Sequence, residues 1–132
     1  MDSEDEGGKE MRSLIVTIIL ASAMLLGATA NFVYVNRVSD AMNEFVDAIP
    51  NVGDPLCVEK TTALCQIWEE NAPLIGLSVG FQAIDKLSEH CYTLRSCAEV
   101  GDVYGYYAAL TLLKDSIDDV RRLEQFEIEN LF

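Results

Sequence analysis

The sequence predicts an all-α protein: an N-terminal transmembrane helix followed by a small antiparallel bundle built from two helical hairpins. Three observations carry this prediction. Residues Leu14 to Val35 include no charged side chain. Beyond Val38, apolar residues recur at alternating three- and four-residue steps, which line one face of a helix. No segment alternates apolar and polar residues over the length of a strand. A chain of 132 residues holds one small domain plus a membrane segment and is too short for two enzyme domains.

Residues 1–13 read as a cytoplasmic tail that carries Lys9 and Arg12 among five acids. Residues 14–35 read as a signal anchor. At about 1.5 Å per residue they can cross a hydrocarbon core of roughly 30 Å, and Asn31 and Tyr34 suit an interfacial exit. A cleaved signal peptide is the competing reading, with Ala28-Thr29-Ala30 as the cleavage site. The apolar character continues through Phe32, Val33 and Val35, which favours the anchor. Both readings put the following part outside the cytoplasm. Lys9 and Arg12 precede the stretch and Arg37 alone follows closely, so the positive-inside rule places the N-terminus inside. Met11-Arg12 also makes a natural start, with residues 1–10 as an extension. Ala23 and Gly27 form one small-x-x-x-small pair that can seat another helix.

Residues 36–132 form the expected extracytoplasmic domain. Val38, Met42, Phe45 and Ile49 make a first stripe that ends at Pro50. Asp54-Pro55 reads as an N-cap followed by proline in the first turn of a second helix, which carries Leu64, Ile67 and Trp68. Ile84, Leu87, Cys91, Leu94 and Ala98 mark a third helix, stopped by Gly101. Asp102 caps a fourth, with Val103, Tyr106, Leu110, Leu113, Ile117 and Val120 on its face. Val52-Gly53-Asp54 and Val100-Gly101-Asp102 open helices two and four alike, which hints at a duplicated hairpin.

Nine Lys and Arg against 22 Asp and Glu give a net charge of -13. That acidity excludes a nucleic-acid binder and opposes docking of the acidic part on an anionic lipid surface. The membrane, through the N-terminal helix, and a protein of unspecified identity are the expected partners; no cofactor is expected.

Several sequence elements together resemble one family. They are the start Met11-Arg12-Ser13-Leu14-Ile15, Trp68 and Asn71 near the end of a helix, Ile84-Asp85 early in the next, and the ending Glu127-Ile128-Glu129-Asn130-Leu131-Phe132. Over residues 11–132 the chain resembles the bacterial domain-of-unknown-function family 4363, small proteins with an N-terminal membrane segment and a helical remainder. The sequence departs from that family's pattern at Phe81, where a histidine is common, and in its four cysteines. The resemblance implies a membrane-anchored helical protein and no particular activity.

Cys57, Cys65, Cys91 and Cys97 are an even set in the part expected outside the cytoplasm, where oxidation is plausible. Within a straight helix Cys57 and Cys65 stand about 12 Å apart, and Cys91 and Cys97 about 9 Å, beyond disulfide reach. Across antiparallel helices, Cys57 can pair with Cys97 and Cys65 with Cys91. That register puts the chain reversal near Leu77-Ser78, with Ser78-Val79-Gly80 as the turn. A reversal at Asn71-Ala72-Pro73 leaves no two cysteines facing each other. The remaining reading is four reduced cysteines serving as small apolar core residues.

A thiol- or metal-dependent enzyme using Cys91, His90 and Cys97 is the rival to a binding or structural domain. No C-x-x-C pair is present, and neighbouring residues on a helix point about 100° apart, which disfavours a Cys-His couple. His90 reads instead as a flank beside the core stripe, so no catalytic, cofactor-binding or metal residue is assigned. Asp115, Asp118 and Asp119 with Arg121 and Arg122 read as a solvated face with local ion pairs. Tyr104, Tyr106 and Tyr107 suggest a partial aromatic patch.

Overall fold

The computed structural model describes the chain from residue 2 to residue 131. Met1, the upstream start, and Phe132, the last residue of the Glu-Asn-Leu-Phe ending, lie outside the described residues. Four helices follow one another: α1 (Asp2–Asp47), α2 (Cys57–Val79), α3 (Phe81–Val100) and α4 (Val103–Leu131). There is no strand among the described residues. The expected all-α fold, with a long apolar N-terminal helix and a small bundle, is what the chain adopts.

The helices run up, down, up and down. α1 lies between α2 and α4, α3 completes the ring, and α1 and α3 occupy opposite corners. Leu64, Trp68, Leu87, Leu94, Leu113 and Ile117 are each essentially inaccessible and form the shared core with Val35, Met42 and Val46 of α1. These are the positions at which the three-four spacing converges, so packing follows directly from the pattern.

Three expectations about element boundaries are corrected. The membrane stretch and the first bundle helix are not separate: α1 is a single helix of 46 residues, about 69 Å long. Neither glycine nor proline interrupts it between Ala28 and Asp47, so nothing in the sequence breaks the hydrogen-bond ladder there. Residues Asn31 to Val35, assigned above to the span, already belong to the bundle, where Val35 is fully buried and Tyr34 packs on the core.

The second correction concerns the start of α2. Asp54 does not cap it; its carboxylate accepts from the Leu56 N–H at 2.8 Å in a side-chain turn, and the helix begins at Cys57. The third concerns Pro73, which does not turn the chain and sits inside α2. Proline removes one backbone bond, but the reversal falls at Gly80, whose φ of 90° is open to glycine and strained for other residues. Gly101, at φ 73°, ends α3 in the left-handed conformation, and its successor Asp102 accepts from the Gly105 N–H at 3.0 Å.

Candidate functional site

Two polar features stand inside the bundle, and both join helices far apart in sequence. The first is the Cys65–Cys91 pair between α2 and α3. Continuing α2 through Pro73 produces the register in which these residues meet. Each is 1% exposed. The Cys65 thiol donates to the Cys91 carbonyl at 3.1 Å and lies beside the Cys91 thiol. That second thiol, hydrogen-bonded to Cys65, lowers the Cys65 pKa against the opposing effect of burial. The same bond, together with burial, pushes Cys91 well up. Cys65 is therefore the sulfur that ionises first and Cys91 the one that keeps its proton.

All four cysteines are free thiols in this structure. Cys57 is buried beside Tyr106 of α4. Cys97 is half-buried and packs near Gly105, where a Cβ would come within 2.9 Å of its sulfur. Burial, then the charge of Asp102, raises the Cys97 pKa.

The second feature lies where α1 enters the bundle. Asn31 of α1 donates through Nδ2 to Ser78 Oγ of α2 at 2.7 Å and to Glu124 Oε1 of α4 at 2.8 Å. Glu124 is only 2% exposed, and its second oxygen, Oε2, has no hydrogen-bond partner. One turn further along α1, Tyr34 donates its hydroxyl to Asn71 of α2. Sequence reading missed this cluster. Asn31 looked like an interfacial residue, and Glu124 sits among many exposed acids. The available signal was Glu124 continuing the apolar stripe of Leu113, Ile117 and Val120 at the next four-residue step.

The remaining candidates separate. His90 is half-buried on α3. No three His, Cys, Asp or Glu side chains converge on a metal-sized site among the described residues. Arg122 pairs locally with Asp119, but Arg121 reaches across to Asp40 of α1, joining elements 81 residues apart. Of the three tyrosines, Tyr104 is 91% exposed, Tyr106 is buried, and Tyr107 meets Tyr106 edge to face at 5.3 Å. The aromatic patch is thus split between surface and core.

Fold and site together define a four-helix bundle whose first helix continues outward as an exposed apolar rod. Comparison of the chain with family models, curated proteins and solved structures finds no match.

Proposed function

We propose that this is a single-pass membrane protein whose acidic helical domain stands outside the cytoplasm and acts by binding another protein or as a structural element of the envelope. The continuity of α1 carries the reading. One half of this helix is a wall of the bundle, while the other is apolar and exposed: Leu14, Ile18, Leu20, Met24 and Leu26 are each at least 55% exposed. Its 18-residue window of mean hydropathy 2.1 is not covered by any other part of the chain. A soluble environment would leave that surface in water at a cost of about 25 cal/mol per Å². A bilayer removes the cost, and the unbroken helix then holds the domain in a set orientation to the membrane. Membership of the domain-of-unknown-function family 4363 is part of the same proposal.

Carbonate extraction of membranes from expressing cells tests the anchor. The intact chain is expected in the membrane pellet, and its release into the soluble phase overturns the reading. A tag behind Phe132 is expected to be reachable from outside the cell; reachability only from the interior overturns the sidedness.

A further inference from the structure

Where the bundle meets the exposed half of α1, its end is apolar. The Asn31 bonds to Ser78 and Glu124 put the last turn of α2, the first turn of α3 and the C-terminal part of α4 at one level. Leu77 and Phe81 flank the Gly80 turn there and are 83% and 80% exposed. Phe126 on α4 is 61% exposed. All three lie within about 5 Å, one helical turn, of the Asn31 level along the bundle axis. At the opposite end the chain reverses among Asn51, Gly53 and Asp54, and again at Gly101 and Asp102.

The length of α1 says what covers this end. Because Asn31 to Val35 belong to the bundle, the uncharged run outside it is Leu14 to Ala30, 17 residues. That is about 25 Å of helix against a hydrocarbon core of roughly 30 Å, near the lower limit for a span. On its far side the run is bounded by Arg12, Glu10 and Lys9. Arg12 can snorkel, but the acid cannot follow it cheaply. The deficit is met at the bundle side, where the membrane boundary reaches the level of Leu77 and Phe81.

We infer that the bundle's base, through Leu77, Phe81 and Phe126, is seated in the interfacial layer of the same bilayer that α1 crosses. This rests on the membrane reading of α1. The contact is apolar rather than electrostatic. The domain is strongly acidic, and although Lys86 and Arg122 flank Phe126 in the α3–α4 groove, Arg122 is already paired with Asp119. A zwitterionic surface therefore suffices, and anionic lipid is not required.

The test uses the full chain with Cys97→Ser, since the other three cysteines are buried, reconstituted in phosphatidylcholine vesicles. A nitroxide is placed in turn at Leu77→Cys, Phe126→Cys, Leu20→Cys and Tyr104→Cys, with circular dichroism confirming native helicity. Collision with oxygen is compared with collision with a water-soluble nickel chelate. Leu77 and Phe126 labels are expected to favour oxygen several-fold over the Tyr104 label. Labels at Leu77 and Phe126 as open to nickel as that at Tyr104, with Leu20 shielded, overturn the seating and leave the span standing. A nickel-accessible Leu20 overturns both. Spin–spin broadening at Leu77 and Phe126 without preference for oxygen assigns the face to a second copy of the chain and also overturns the inference.

Discussion

Asn31 and Glu124 lie 93 residues apart and are joined by a 2.8 Å hydrogen bond at the point where α1 leaves the bundle. The amide is shared, because its second N–H serves Ser78. This bond fixes α1 and α4 in antiparallel register, which the Arg121–Asp40 and Lys114–Asp47 pairs continue toward the other end. Asn31→Leu strips a buried carboxylate of its donor and is expected to destabilise the protein by about 2–3 kcal/mol. Asn31→Leu with Glu124→Leu removes both polar groups and is expected to recover most of that loss. Thermal denaturation of the three variants in detergent checks the cycle; a double variant no more stable than Asn31→Leu contradicts it.

The Cys65–Cys91 contact invites oxidation. We propose that these two bridge in an oxidising compartment, closing a loop that stabilises the bundle by roughly 3–4 kcal/mol in the chain-entropy model. Non-reducing peptide mapping should recover a Cys65–Cys91 linked peptide. Reductant should lower the melting temperature of wild type but leave Cys65→Ala unmoved. In the reduced protein, half-buried Cys97 is expected to alkylate before the three buried thiols.

Tyr106 couples stability to alkaline pH. Burial, and then hydrogen bonding with Cys57, raises its phenol above the ordinary value of 10.0. The unfolded chain therefore releases this proton first. The contribution to stability is full below pH 10 and is lost as pH rises toward the folded pKa. Tyr106→Phe, which also gives up a 3.2 Å bond to the Pro50 carbonyl, should flatten the Tyr106 part of that decline. Denaturant midpoints between pH 8 and 11 measure it, and equal slopes for wild type and variant would count against it.

At the α3–α4 turn, Asp102→Ala removes the cap on the Gly105 N–H and is expected to cost about 0.5–2 kcal/mol. Gly105→Ala should act on the same bond from the other side. A methyl there would stand 2.4 Å from an Asp102 carboxylate oxygen and 2.9 Å from the Cys97 sulfur. If cap loss is the shared mechanism, adding Gly105→Ala to Asp102→Ala costs less than Gly105→Ala alone, as calorimetry can establish.

Local pattern alone specified the helical class, the apolar run and most of the core. Met42, Leu64, Leu87, Leu94, Leu113 and Ile117 could be placed because burial of one face imposes a period that any window of sequence displays. Gly101 and Asp102 were legible for a similar reason, since the φ sign and the capping carboxylate are properties of one turn. The contacts between helices decided the rest. Pro73 remains helical because α2 is held against α3 on both sides of it, with Trp68 bonded to Ser88 at 2.8 Å. Asn31 left the span for the bundle because its partners, Ser78 and Glu124, come from helices whose register no local window contains. A period describes one face of one helix; which faces meet, and at what height, depends on the free energy of the whole assembly.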